Sequence, residues 1–399
     1  MPMISKKVSR IQPSFTLQMT ARAAELRAQG VDVIDLGVGE PDFNTPDNII
    51  AAAKKAMDDG FTKYTPGSGL LVLREAICEK LLRDNSLSYK PDQIIVSNGA
   101  KHSLSTCCQA ILNPGDQAII FSPFWVSFPE FIRLADGEPI VIPTFADKNF
   151  TPDFEQLEKQ LNPRIKLMII NSPSNPTGAV WDNETIRRLL SYAAKYNWVV
   201  ISDECYEQLV YDSEFQSIET LNDAGANVIT IQSLSKTYAM TGWRIGYAAG
   251  DSTIIKAMSK IQGQATSCAN SIGQIAAVEA LTGDQSAVKV MKKAFLKRRN
   301  KMIDRINKTA GISCQTPGGA FYTFPDITHY LGMRIEGKKI DTSFDLSDYI
   351  LDTARTTTVA GAGFGCEGHI RLSYATDEET FLEGLDRIEQ SLMKLEETS

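Results

Sequence analysis

The chain has 399 residues, 43% of them hydrophobic and 22% charged, with a net charge of −7; that is length for one large core and a second, smaller one, and an acidic balance that argues against a nucleic-acid binder relying on phosphate attraction. Seven cysteines without CxxC spacing and three scattered histidines argue against a disulfide framework and a metal site. No run of 18 apolar residues exists and the stretch MPMISKKVSRIQPSF lacks the apolar centre of a secretory signal, so no membrane span is expected and the cytoplasm is the expected address.

Through the middle of the chain, short β-branched runs alternate with amphipathic stretches. Strands are predicted over 93–97, 117–122, 166–171, 198–202, 228–232 and 244–249. Most are apolar on both faces, as strands covered by helices on both sides are. Helices are predicted over 101–112, 183–196 and 252–262. The alternation implies an α/β layer fold with a largely parallel sheet. The character changes near 283–292. A long basic helix is predicted over 285–309, then short strands in PGGAFYTF and HIRLSYA, then a final helix over about 377–395. These read as a separate α+β unit.

Ligands of open parallel sheets bind beyond the carboxyl ends of the strands, so the residues following each run are the candidates. In chain order they are Asn98-Gly99-Ala100-Lys101, then Trp125, then Asn171 to Gly178 with Asn175, then Asp203 and Tyr206, then Ser233 and Lys236. A purely structural sheet has no need of that inventory, and loops on a rigid scaffold are where binding groups concentrate. The loop at 98–101 opens a helix whose free N–H groups suit a phosphate, although a plain strand–helix turn has the same shape. Ser233 and Arg244 offer further phosphate donors. Asp203 follows four apolar residues and, if buried, needs a cationic partner; a helix cap is the plainer reading. Trp125 suits core packing or a stacking platform. Asn175 sits in a turn-forming stretch. Arg371, between Ile370 and Leu372, is either an edge-strand charge or a carboxylate clamp. The glycines of Gly361 to Gly365 lack the third glycine of a dinucleotide loop, where Cys366 stands, and a strand-like run follows.

Lys236, in SLSKTYAMTGWRIG, is the pivot: lysines are mostly solvated, yet this one follows an apolar strand among small hydroxyl residues. A phosphate cradle, an aromatic plate, a buried acid, a phenol and a lysine have one economical joint explanation, pyridoxal 5′-phosphate. Lys236 then joins the cofactor aldehyde, and Asp203 keeps the pyridine nitrogen protonated. Desolvation and nearby positive charge lower the lysine's pKa and free its amine.

The combination of GEPDFNTP (39–46), KYTPGSG (63–69), NGAKHSL (98–104), NSPSNPTG (171–178), SDECYE (202–207), SLSKTYAMTGWRIG (233–246), PGGAFYTFPD (317–326) and HIRLSYA (369–375) resembles the class I pyridoxal-phosphate aminotransferases of fold type I. It is most similar to their prokaryotic-type aspartate aminotransferase subgroup, over nearly the whole chain. The resemblance implies a mostly parallel seven-stranded sheet in a large domain over 48–290, and a discontinuous small domain built from 1–47 and 291–399. It implies Lys236 as the proton shuttle, Asp203 at the pyridine nitrogen, Tyr206 and Asn175 at the ring's phenolic oxygen, and Trp125 stacked on the ring. Gly99, Ala100, Lys101, Ser233, Ser235 and Arg244 are the cofactor set at the phosphate end. Tyr64 is expected to serve the phosphate of a partner subunit, which implies a homodimer with shared sites. Arg371, Asn175, Trp125 and the backbone of Gly39 are the expected substrate contacts. Lys101, Ser14, Thr16 and Gln12 are candidates for a distal carboxylate.

The expected reaction is transfer between aspartate and 2-oxoglutarate by ping-pong half-reactions, with amino-acid and 2-oxo-acid partners and no metal. A broad-specificity or prephenate aminotransferase, or a C–S or C–N lyase of the same fold, are the rivals. Three positions depart from the family pattern: Ala360 and Ala269 where proline is common, and Gln12 where many relatives carry lysine. The last weighs against a substrate with an extra carboxylate, such as prephenate.

Overall fold

The computed structural model describes residues 4–335 and 337–396; the ends of the expected small domain, 1–3 and 397–399, lie outside the described residues. Fourteen strands occur among the described residues: β1 (Ile34–Asp35), β2 (Ile94–Ser97), β3 (Gln117–Ser122), β4 (Glu138–Pro143), β5 (Ile165–Asn171), β6 (Val199–Asp203), β7 (Asn227–Ser233), β8 (Gly246–Ala249), β9 (Tyr322–Thr323), β10 (Arg334–Ile335), β11 (Lys338–Lys339), β12 (Thr356–Thr357), β13 (Val359–Ala360) and β14 (Ile370–Ser373). Seven of them form one sheet in the order β2-β8-β7-β6-β5-β3-β4, parallel except for β8.

The sheet forms as its sequence dictates. All six residues of β3 are buried, because helices cover both faces. Ile95, Ala118, Ile120 and Ile201 join the helix Ala100–Ile111 in one core, and Ile119, Met168, Ile170 and Val200 join the helix Asn183–Tyr196 in another. The latter helix starts where the Asp182 carboxylate accepts from Thr185 N at 2.7 Å and ends where Asn197 turns left-handed at φ 55°, the expected stop and start chemistry. Its buried Ile186, Leu189, Leu190 and Ala193 follow the helical period.

The reversed strand corrects one expectation. The run at 244–249 is strand only from Gly246, and Arg244 precedes it with φ 58°. Since β8 runs against its neighbours, its entrance rather than its exit lies at the carboxyl edge of the sheet: Ser97 and Ser233 both pair with Gly246. That places Arg244 beside the residues that leave β2 and β7.

Around the sheet, β1 pairs in parallel with β12, tying the N-terminal segment to the C-terminal unit. There β14 lies between β13 and β9, so Arg371 is on a central strand and not an edge. The long helix spans Ser286–Ile306 and the last one Glu378–Leu392, each a few residues inside its predicted limits. No described helix is long and apolar enough to cross a membrane.

Candidate active site

A cavity of about 270 Å³ opens at the carboxyl edge of the sheet, lined by Ala100, Lys101, Trp125, Asn175, Asp203, Tyr206, Ser233, Ser235, Lys236 and Arg244 among others. Residues drawn from six separate loops meet there because each loop follows or precedes a strand of the same sheet.

At one end stand the groups that suit an anion. Gly99 caps the helix Ala100–Ile111 with φ 80°, a conformation open to glycine. A side chain there is doubly excluded, since a Cβ would fall 2.6 Å from Arg244 Nη2. Arg244 is held by donating from Nη1 to the Thr241 carbonyl at 2.8 Å. It is exposed, not buried beside the strand. Ser233 and Ser235 are buried on the other side. Lys101 lies in the same wall, and burial together with the neighbouring Arg244 pushes its ammonium below the usual lysine range. A guanidinium, two hydroxyls and a helix N-terminus around one end of a cavity make an anion site.

The floor carries an acid of the opposite kind. Asp203, 5% exposed, accepts from the Cys205 backbone N–H at 3.2 Å and faces no cationic side chain at ion-pair distance among the described residues. Burial raises it from 3.8 to about 6. Tyr206 is buried, its phenol held neutral by burial and by Tyr322, whose hydroxyl lies 2.9 Å away. Trp125 packs edge-on against Phe128 and Phe131, and Lys101 Nζ sits 4.9 Å from its ring centroid.

Lys236 donates to the Gly39 carbonyl. Desolvation, with Arg371 and Arg244 nearby, lowers its pKa to about 8 against the attraction of Glu40. A second cavity of about 330 Å³ adjoins the first and shares Lys101, Trp125, Asn175, Tyr206 and Lys236. Arg371 lies in it, 2% exposed, donating to Asn175 Oδ1 at 2.9 Å and to the Gly37 carbonyl at 2.6 Å. Its Nε has no partner, and no carboxylate pairs with it among the described residues. Asn175 is itself fixed by donating its backbone N–H to Asn171 Oδ1 at 2.9 Å.

Of the four candidates for a distal carboxylate, Ser14, Thr16 and Lys101 line the second cavity and Gln12 does not. Gln12 instead donates its backbone N–H to Glu130. Gly39 lines that cavity too, but the carbonyl touching Arg371 is that of Gly37. Tyr64 is 89% exposed and lines neither cavity.

Sequence reasoning missed three neighbours. Tyr322 is the hydrogen-bond partner of Tyr206 and stacks under Arg371 at 4.4 Å. Cys205 enters the first cavity. Gly246 is needed because a Cβ there would lie 2.3 Å from the Ala100 backbone nitrogen. Only the last had a sequence signal, a glycine interrupting a strand pattern.

A family model described as aminotransferase class I and II matches residues 31–388. The chain is 43% identical over 387 residues to an aspartate aminotransferase of Geobacillus stearothermophilus, covering 96% of this chain and 98% of that protein. It is 41% identical over 396 residues to a probable aspartate/prephenate aminotransferase of Aquifex aeolicus, covering 98% and 99%. The solved structure of the aspartate aminotransferase from Rhizobium meliloti matches with a TM-score of 0.95 at 40% identity, covering 99% of this chain and 100% of that one.

Proposed function

The chain belongs to the class I and II aminotransferases, and from that premise we propose that it moves the amino group of aspartate to 2-oxoglutarate, in two half-reactions at one site. Pyridoxal 5′-phosphate is the cofactor of this family. The residues present fit it on three counts: an anion cradle too tight for a Cβ at Gly99, a buried carboxylate without a cation, and a desolvated amine.

Gly99, Ala100, Ser233, Ser235 and Arg244 hold the phosphate in this reading. Asp203 keeps a proton on the pyridine nitrogen, and the buried ion pair this makes relieves its desolvation. Tyr206 and Asn175 bond the phenolic oxygen, and Trp125 covers one ring face. Bound there, the cofactor supplies an aldehyde for the amino group and an electron-poor ring next to the substrate Cα. Lys236, poised near neutrality, would carry the proton between the substrate Cα and the cofactor's C4′, a role worth about 10²–10⁴-fold. Arg371 and Asn175 take the α-carboxylate.

The observation that carries the choice of substrate is the pairing of Arg371 with Lys101 in one cavity beside Ser14 and Thr16: two cations for two carboxylates. The test is half-transamination with aspartate, glutamate, alanine and phenylalanine, followed in the cofactor's absorbance, with 2-oxo acid as the product. Aspartate and glutamate are expected to lead; an alanine or phenylalanine rate well above both overturns the assignment. Prephenate, suggested by the Aquifex relative's name, joins the panel as rival amino acceptor.

The expected homodimer belongs to the same reading. Tyr64, with Met57, Leu71 and Val72 exposed nearby in sequence, is available to a partner's phosphate end. The small domain, 1–47 with 291–399 against 48–290, is supported by the β1–β12 pairing. Sedimentation and limited proteolysis test the two in turn.

A further inference from the structure

Behind the turn that carries Asp203 and Tyr206 lies a second polar cluster that lines neither cavity. Glu204 is 0% exposed, Lys80 and Gln232 each 2%, and Asn85 and Glu207 5% and 6%. One ammonium and two carboxylates are thereby buried together. Such clusters are a poor route to stability, since apolar replacements of similar shape are often neutral or better. A reason beyond stability is called for.

The hydrogen bonds have a fixed direction, and the lysine sets it. An ammonium only donates. Lys80 Nζ therefore fixes Gln232 Oε1, at 2.7 Å, and Asn85 Oδ1, at 2.9 Å, as acceptors, while it pairs with Glu207. Both amides must then present their nitrogens elsewhere. Asn85 Nδ2 donates to Glu207 at 2.6 Å, and Gln232 Nε2 donates to Glu207 at 3.1 Å and to Glu204 at 3.0 Å. Tyr247 closes the set by donating to Gln232 Oε1 at 2.6 Å. Glu204 also accepts from Ser202, Ser217 and the Ile218 backbone N–H.

Each anchor adjoins a residue of the site. Glu204 follows Asp203, Glu207 follows Tyr206, Gln232 precedes Ser233 and Tyr247 follows Gly246. Along the turn the side chains divide in duty: 203, 205 and 206 line the cavity while 204 and 207 are gripped from behind. We infer that Glu204 and Glu207, oriented by Lys80 through Gln232, are positioning residues that set where Asp203 and Tyr206 stand toward the cofactor. The inference rests on the pyridoxal-phosphate reading of the cavity. Loss of this grip loosens the turn without touching the cofactor; residues that orient metal ligands from behind are worth about 10–100-fold in affinity, and that is the scale expected here.

The experiment is equilibrium titration of the full chain with pyridoxal phosphate, read as protein-bound absorbance, beside thermal unfolding of the cofactor-free protein. Glu207→Gln is expected to weaken cofactor binding by about 10–100-fold. Leu81→Ala, a core truncation one residue from Lys80 at a fully buried position, is expected to lower the unfolding temperature while leaving cofactor affinity within twofold. Affinity in Glu207→Gln within twofold of the parent, or an equal loss in Leu81→Ala, overturns the inference. Should Glu207→Gln fail to fold, Tyr247→Phe removes one hydroxyl and no charge; a loss of about 2–10-fold is expected, and none overturns the inference. If the unmodified chain takes up no cofactor, the reading of the cavity itself fails, a result distinct from these.

Discussion

Asp203→Asn separates the cost of the site from its use. In the cofactor-free chain the folded-state pKa of Asp203, about 6, lies above its ordinary 3.8 because burial penalises the charge. The folded state therefore binds that proton more tightly than the unfolded one. The contribution of Asp203 to stability is full below about pH 4 and lost as pH rises through 6, a total of about 3 kcal/mol. Between pH 8 and pH 5 the same two values give about 1.4 kcal/mol. Asparagine keeps the shape and the acceptor for Cys205 N–H but cannot ionise. Any cost of its unpaired N–H₂ is the same at every pH and cancels from the comparison. Urea unfolding of both cofactor-free proteins at matched concentration should thus show the variant gaining about 1.4 kcal/mol on the parent between pH 5 and pH 8. Turnover should fall by about 10² or more, since breaking a buried pair costs about 3–5 kcal/mol. A stability difference flat across that range, or one that moves against the variant as pH rises, refutes the account of Asp203 as an uncompensated buried charge.

Lys236, with a pKa lowered to about 8, is about one-tenth free amine at pH 7, against about one in 3000 at the ordinary 10.5. The rate of cofactor capture by the stripped chain should rise with pH and level off above about 8; a plateau reached only near 10 contradicts the desolvation argument. Borohydride should fix the cofactor to Lys236 alone, and Lys236→Ala should lose turnover. Lys101→Met should raise KM for aspartate about tenfold or more, the loss of a charge-assisted contact, and leave alanine unchanged. Arg371→Lys should depress kcat/KM for both about 10²-fold, because the α-carboxylate is common to both and a lysine cannot reproduce the fork. Gly246→Ala should destabilise by about 1–3 kcal/mol and weaken cofactor binding, since its Cβ must push the helix start at Ala100.

The central strands were legible because burial on both faces removes polar alternation and leaves β-branched runs. Strand β4 was not: it is an edge, half-exposed, with Pro139 and Pro143 in its six residues, so neither pattern rule applies. The helix Leu71–Asn85 escaped notice for a reason its structure supplies. It buries Lys80 and Asn85 beside Leu73, Ile77 and Leu81, and a buried lysine spoils the apolar stripe that marks a helix. Among site residues, those placed just beyond a strand end could be read from the chain. Arg244 was found by its chemistry although the strand it adjoins runs backwards. The bonds from Tyr322 to Tyr206 and from Lys80 and Asn85 to Glu207 join residues more than a hundred positions apart, and no local spacing encodes them.

Asp203, Lys236 and Arg371 differ from the buried cations elsewhere in the molecule. Arg299 and Lys80 are buried too, and each has its carboxylate, Asp212 and Glu207. The three site residues face the connected cavities with no opposite charge at ion-pair distance among the described residues. An uncompensated charge in low dielectric is costly, and three around one space set the chemistry of what they would bind: cation against Asp203, aldehyde or carbonyl carbon against the amine, carboxylate against Arg371. Each partner that enters removes a desolvation penalty the fold already carries, so binding should stabilise the chain by mass action. Cofactor should raise the unfolding temperature of the parent more at pH 8 than at pH 5, where Asp203 is largely protonated already. In Asp203→Asn that difference should shrink, and its survival there would place the source of the coupling elsewhere.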